Sequence, residues 1–396
     1  MVEWKKVKLG EIAMNIQTGP FGSQLHQSDY SDEGTPVVMP KDIINGVVSE
    51  ENIARVSEDH VNRLARHKVE SGDILYARRG DVGKCAFINA REKGWLCGTG
   101  CLKVSIDKTK ANTKFVFFQL QKPTTIAWVK LHAKGATMPN LNTEILSEVP
   151  IDIPNLEVQN NIVYILSKYD SLIENYQQQI KLLEEAAQRL YKEWFVDLHF
   201  PEYENTKIVD GVPEGWEKGN LSSLAEFRRG KTIVKKEIVE GAIPVVAGGL
   251  GPAYYYTKSN TEDRVITVSA SGANAGFTRL YYQKIWASDC SYVDKSMTEH
   301  LYFVYCFLKS NKIVIDNLQK GAAQPHVYSK DINALELILP SNKILSLFDA
   351  KVIPMFDKIG NLTTQIRLLT EARDRLLPKL MSGKLEVYSK REMHRV

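Results

Sequence analysis

Apolar residues recur at alternating steps of four and three from Ile162 onward: Ile162, Leu166, Tyr169, Ile173, Tyr176, Ile180, Leu183, Ala187, Leu190 and Trp194. A second stretch repeats the spacing as Phe348, Val352, Met355, Ile359, Leu362, Ile366, Leu369, Arg373, Leu376 and Leu380, with Arg373 the one polar member. Gln, Glu, Lys and Arg fill the flanking positions. A narrow stripe of this kind predicts a coiled-coil helix packed on one partner helix, rather than a helix laid on a globular core. Each helix covers about 35 residues, hence roughly 50 Å. The two are expected to pair with each other, antiparallel. Pro354 predicts a kink or a late start in the second helix, and Pro378 a bend in its last turn.

Ahead of each helix the pattern changes to short β-rich runs separated by turn signals. In the first half these are Pro36–Met39, Asp73–Ala77, Leu102–Ile106 and Val149–Ile153. In the second they are Pro244–Val246, Arg264–Ser269, Ser291–Val293 and Leu335–Leu339. Helical stretches are expected at Thr113–Gln121 and Glu299–Leu308. Each body therefore reads as a small curved sheet with peripheral helices, an α+β chain overall. Glu202 to Gly215, rich in Pro, Gly and acids, reads as the linker into the second body.

The two halves are copies. Gly135-Ala-Thr-Met-Pro139 returns as Gly321-Ala-Ala-Gln-Pro325, 186 positions on. The same offset carries Pro154 onto Pro340, Ile173 onto Ile359, Gln179-Ile180 onto Gln365-Ile366 and Arg189-Leu190 onto Arg375-Leu376. Trp4, Leu9 and Ala13 match Trp216, Leu221 and Ala225 at an offset of 212, so the first copy is longer in its front part. The copies join near Phe200-Pro201. With antiparallel helices, the plan is a pseudo-twofold one: two bodies at opposite ends of a helical rod.

Composition narrows the class. The 396 residues are 43% hydrophobic and 25% charged, which excludes a collagen-like or largely disordered chain. A formal charge of +4 permits nucleic-acid binding, provided that the basic surface is local. The five cysteines, Cys85, Cys97, Cys101, Cys290 and Cys306, are too few and too scattered for a disulfide scaffold. Cys97 and Cys101 have no nearby His or second Cys pair and read as small buried thiols rather than zinc ligands. The N-terminal residues lack a signal-peptide core and no apolar run reaches ~20 residues, so a cytoplasmic chain is expected.

No catalytic signature survives inspection. Gly230-Lys231-Thr232 resembles the end of a phosphate-binding loop, but the upstream glycine position holds Ala225. The Asn/Asp-Pro-Pro-aromatic loop of DNA amino-methyltransferases needs a Pro-Pro, and none occurs. Asp349-Ala-Lys351 fits the end of a nuclease motif but lies on the heptad helix. What remains is a binder. Arg78-Arg79-Gly80 and Lys84 follow a predicted strand, and Arg228-Arg229-Gly230-Lys231 follows the second Trp-Leu-Ala front. Glycine lets backbone approach a phosphate, and Arg can bridge a phosphate or the O6/N7 edge of guanine. Gln24, Asn140, Asn274 and Gln324 are amides near turns, suited to adenine N6/N7. Lys134 and Lys320, each just before the repeated glycine loop, complete the candidate DNA contacts.

This pattern resembles the DNA-specificity subunit of type I restriction–modification systems, over nearly the whole chain. The resemblance is carried by the duplicated body-plus-helix plan and by Gly135–Asn142 with Val149–Pro154, repeated within Gly321–Pro340. Gly72-Asp-Ile-Leu-Tyr-Ala-Arg-Arg-Gly80 and Leu377-Pro-Lys-Leu-Met-Ser-Gly-Lys384 add to it. The second body departs from the pattern, reading Arg264-Val-Ile-Thr-Val-Ser-Ala-Ser-Gly272 with no Arg pair. The resemblance implies target-recognition domains at 1–155 and 201–340, and coiled-coil helices at 156–200 and 341–396. It implies double-stranded DNA with a bipartite, gapped target as ligand. Two copies of an adenine-N6 methyltransferase subunit, and restriction subunits, are the implied partners. S-adenosylmethionine, ATP and Mg²⁺ would belong to those partners, with no cofactor in this chain. Trp194 and Phe195 are then candidates for the methyltransferase contact. The alternatives are a methyltransferase or nuclease with a cryptic site of its own, or a coiled-coil DNA-binding scaffold.

Overall fold

A computed structural model of the chain describes residues 3–135, 139–234, 236, 239–321, 325–385 and 387. They form two compact units, residues 1–173 with 368–396 and residues 174–367.

In unit 1, every residue of the strand Ile74–Ala77 is buried. Side chains alternate across a strand. Here Ile74 and Tyr76 enter one core, while Leu75 enters another with Cys97 and Cys101. A strand covered on both faces needs an unbroken apolar run, and Ile-Leu-Tyr-Ala supplies it. Its sheet is antiparallel, in the order Ala13–Thr18, Cys101–Ile106, Ile74–Ala77, Cys85–Phe87. A second group runs Arg55–Val56, Thr35–Val38, Leu96–Cys97, its last pair parallel. Lys5–Lys8 pairs with Pro150–Ile153. The helix Thr113–Leu120 starts at Asn112, whose side chain accepts from the N–H groups of Lys114 and Phe115. It lays Phe115, Val116 and Phe118 into the core that holds Ile74 and Tyr76.

Unit 2 repeats this sheet by sheet. Its four-stranded order is Arg228–Arg229, Cys290–Asp294, Val265–Ser269, Thr278–Tyr281. Its three-stranded group is Tyr254–Tyr256, Ile243–Val246, Trp286–Ala287, again with a parallel last pair. Glu217–Asn220 pairs with Glu336–Leu339. The helix Leu301–Ser310 is buried over its first eight residues and fills the core beside Ile266, Val268 and Val293.

The two long helices are Leu156–Tyr191 and Asn342–Met381. In unit 1, Ile162 and Leu166 share a core with Leu376, Leu377 and Leu380. In unit 2, Ala187 and Tyr191 share one with Phe348 and Val352. Early residues of one helix meet late residues of the other, so the pairing is antiparallel, and no seam position of either helix is exposed. The second helix does not start late: it is helical from Asn342, through Pro354 and Pro378, to Met381. Ile344, Leu345 and Phe348 are buried upstream of Pro354, and their packing holds the first turns in place. Pro354 itself points outward, where its missing N–H disturbs no packed face.

Candidate nucleic-acid interface

The basic and amide residues of unit 1 converge where the strand Ile74–Ala77 ends. Arg78 N donates to the Gly100 carbonyl at 2.8 Å, and Leu141 N to the Arg78 carbonyl at 2.9 Å. Arg79 bridges Asn140, which exchanges two backbone bonds with Lys134 at 2.8 and 3.1 Å. Gly80 turns the chain with φ +75°, a left-handed conformation that favours glycine. The neighbouring segment arrives through Gly19, whose N–H donates to the Cys101 carbonyl at 2.9 Å. A Cβ at Gly19 would overlap the carbonyl of Gly98.

This crossing holds Arg78, Arg79, Lys134 and Asn140 together. Arg78 Nε donates to Asn140 Oδ1 at 3.2 Å and to the Leu141 carbonyl at 3.1 Å, with the guanidinium 5.8 Å from the Phe21 ring centre. Burial, and then the charge of Arg79, lowers the pKa of Arg78. Asn140 thus positions Arg78, and its amide oxygen is occupied. Arg79 and Lys134 are exposed and have no carboxylate partner among the described residues. Gln24 holds its own turn, accepting from Phe21 N at 3.2 Å. Lys84 is tied to Asp81 at 3.3 Å, and the same carboxylate takes Lys130 at 3.3 Å.

A second basic group near Gln24 escaped the sequence reading. Lys103 Nζ donates to the carbonyls of Arg66 at 3.1 Å and Lys68 at 2.7 Å. Arg66 Nε donates to His67 Nε2 at 3.0 Å, and its Nη2 lies 3.5 Å from Gln24 Oε1. Burial, and then the charge of Arg66, push His67 down to about 4, so the ring is a neutral acceptor that aims Arg66. Leu64-Ala-Arg-His67 matches no motif, and only the fold brings it to Lys103.

Unit 2 builds the same crossing from different side chains. Ala270 N donates to the Asp289 carbonyl at 3.2 Å, Val327 N to the Ala270 carbonyl at 3.0 Å, and Gly230 N to the Cys290 carbonyl at 2.8 Å. Ser271 bridges His326, which exchanges two 2.9 Å bonds with Lys320. Gly272 has φ +81°. His326 stands where unit 1 has Asn140, 186 positions earlier, and the repeat offset alone would have found it. Arg229 is paired with Asp289, whose other oxygen accepts from the Ser271 hydroxyl. Arg228 is exposed at the sheet edge opposite Tyr292. Lys231 is exposed, and its carbonyl accepts from Trp286 Nε1 at 2.8 Å. Asn274 Nδ2 lies 3.4 Å from the Gly248 carbonyl, and Lys320 is paired with Asp331 at 2.9 Å. Gln324 lies outside the described residues. Gly230 is no phosphate-loop glycine: it sits in the sheet crossing, where a Cβ would overlap the Ser288 carbonyl.

A family model described as the type I restriction modification DNA specificity domain matches residues 1–185 and 213–369. The chain belongs to that family. It is 28% identical to the type I restriction enzyme MjaIX specificity subunit of Methanocaldococcus jannaschii, over 97% of this chain and 93% of that one. It is 23% identical to the HindI specificity subunit of Haemophilus influenzae, over 97% of this chain and 100% of that one. The crystal structure of a type I restriction–modification S subunit from M. genitalium shares the fold. It aligns with a TM-score of 0.62 at 18% identity, covering 96% of each chain.

In this specificity subunit Trp194 and Phe195 are core residues of unit 2. The first long helix ends in a π-helical turn, Lys192–Val196, closed by Asp197 N donating to the Lys192 carbonyl at 2.8 Å. The wider turn carries two successive rings inward. Phe195 packs edge-on to Phe303 and Phe348 at 4.8 and 5.0 Å, and Trp194 lies 6.0 Å from Phe348. Trp194 is buried and Phe195 half-buried, and the exposed neighbour is Val196. Asp349 is likewise structural, 2.6 Å from His300 Nδ1. All five cysteines are buried and unbonded. Among the described residues, no group of His, Cys, Asp and Glu is placed to hold a metal, and no helix is long and apolar enough to cross a membrane.

Proposed function

We propose that this specificity subunit binds a two-part, gapped sequence in double-stranded DNA, one part per unit, and directs an adenine-N6 methyltransferase and restriction subunits to it. The observation that carries the reading is the duplicated crossing. One backbone frame appears twice, presenting Arg78, Arg79 and Asn140 in unit 1 and Arg229, Asp289, Ser271 and His326 in unit 2. Two like frames with unlike side chains suit one target with two unlike halves. Phosphate contacts from Arg79, Lys134, Arg228 and Lys231 would set register, and the side chains at the crossing would read base edges.

The chain's own part is recognition. Methyl transfer, ATP-driven steps and cleavage fall to the partners, two methyltransferase subunits and the restriction subunits. S-adenosylmethionine, ATP and Mg²⁺ go with them. The test is a genome-wide map of N6-methyladenine in the host, with the gene intact and deleted. The expected result is one gapped motif that loses methylation on deletion. An unchanged set of motifs, with the methyltransferase still expressed, would overturn the reading.

A further inference from the structure

Matched backbone bonds pair the two crossings position by position. Thr18 corresponds to Arg229, Arg78 to Ala270, Arg79 to Ser271, Gly100 to Asp289 and Asn140 to His326. At these five positions unit 1 carries two arginines and no carboxylate, whereas unit 2 carries one arginine and one aspartate. A surface that only gripped phosphates would be weakened by a carboxylate. Asp289 needs another reason to be there.

We propose that Arg229 and Asp289 together read a G·C base pair in the part of the target bound by unit 2. This rests on the function proposed above and names the residues and the base chemistry. In the major groove a G·C pair presents the O6 and N7 acceptors of guanine beside the N4 amino donor of cytosine. The Arg229–Asp289 pair is the complement: a guanidinium fork for the acceptors and a carboxylate for the donor. An A·T pair has an amino donor but no two adjacent purine acceptors for the fork.

The group is pre-aimed. One Asp289 oxygen takes Arg229 and the other takes the Ser271 hydroxyl, and each oxygen keeps a lone pair. The side chains of Arg229 and Asp289 remain 45% and 30% exposed, enough for a base edge to reach both. The backbone beneath is fixed by Gly230, and by Gly248, where a Cβ would press on the Ser271 carbonyl. Unit 1 has nothing equivalent, since Thr18 and Gly100 replace the pair.

The experiment uses the complex of the full chain with its methyltransferase. Duplexes carrying each single base-pair change across the wild-type motif are compared as methylation substrates for wild type, Arg229→Lys, Asp289→Asn and Arg79→Lys. Arg229→Lys keeps the charge and loses the fork, so a phosphate contact would survive it. The expected result is a loss of roughly tenfold or more in discrimination at one G·C position for Arg229→Lys and Asp289→Asn. All positions of the other part stay unchanged, and Arg79→Lys, which keeps the charge of a phosphate contact, leaves discrimination intact in both parts. The proposal is overturned if selectivity is unchanged at every position, if rates fall uniformly on all duplexes, or if all three variants relax the same part. A wild-type complex with no sequence preference would instead sink the proposed function itself. Should Asp289→Asn fail to fold, Arg229→Lys decides alone.

Discussion

Arg373 of the second long helix reaches Asp170 of the first at 3.0 Å, and the same carboxylate takes Lys114 at 3.3 Å. All three side chains are half-buried within unit 1. Arg373 occupies the one polar seam position, where an apolar residue would pack in many registers and a paired charge fits one. Arg373→Ala should lower stability by about 1–2 kcal/mol, less than for a fully buried pair because the guanidinium still meets water. Adding Asp170→Ala should cost less than the two single changes summed, with a coupling of about 1 kcal/mol. Denaturant unfolding of the four chains of that cycle checks it, and additive losses would mean that the pair contributes nothing.

Gly19 and Gly230 hold matching positions, and each lies too close to a carbonyl for a side chain. Neither has a positive φ, so the constraint is contact rather than backbone strain. Alanine at either position must push two strands apart, at about 1–3 kcal/mol. Gly72→Ala is the contrast. Its φ is +96° with open space around it, so its cost is conformational. Melting temperatures of the three variants separate the cases: Gly19→Ala and Gly230→Ala should also lose DNA binding, and Gly72→Ala should keep it.

The helix pair was legible because period 3.5 is a long-range pattern that twenty positions repeat, and one arginine does not erase it. The strand Ile74–Ala77 was legible for the opposite reason, a short run with no polar break. Pro354 does not delay the second helix, because its cost is local while the burial of Phe348 and Val352 that offsets it is tertiary. The packing of Trp194 and Phe195 was not legible, because nothing in the sequence announces a π-turn. Arg78 and Arg79 were found next to glycine in sequence. Arg66, His67 and Lys103 were not, since 35 or more residues separate the parts that meet.

His67 makes stability depend on pH. Its pKa falls from 6.5 to about 4 on folding, through burial and then the charge of Arg66, with Lys103 adding to it. Between those values the unfolded chain binds a proton that the folded chain refuses. Stability from this group is therefore complete above pH 6.5, is lost as pH falls toward 4, and changes no further below that. The span is worth on the order of 3 kcal/mol, at 1.36 kcal/mol per pKa unit. His67→Gln should flatten the decline in melting temperature between pH 6.5 and 4 relative to wild type. Parallel curves would show that other groups carry it.

The salt dependence of DNA binding separates free cations from paired ones. Arg79 and Lys134 have no carboxylate partner among the described residues, whereas Lys84 and Lys320 are held by Asp81 and Asp331. A cation that displaces a counterion from DNA contributes about 0.9 to the slope of log K against log salt. Arg79→Ala and Lys134→Ala should each reduce that slope by about 1, measured on the assembled complex with duplex DNA. Lys84→Ala and Lys320→Ala should reduce it less, because each lysine is already neutralised by an aspartate and displaces no counterion from DNA. Equal effects of all four would mean that DNA breaks the Lys84–Asp81 and Lys320–Asp331 pairs on binding. No effect from Arg79 or Lys134 would move the phosphate track away from the crossing of unit 1.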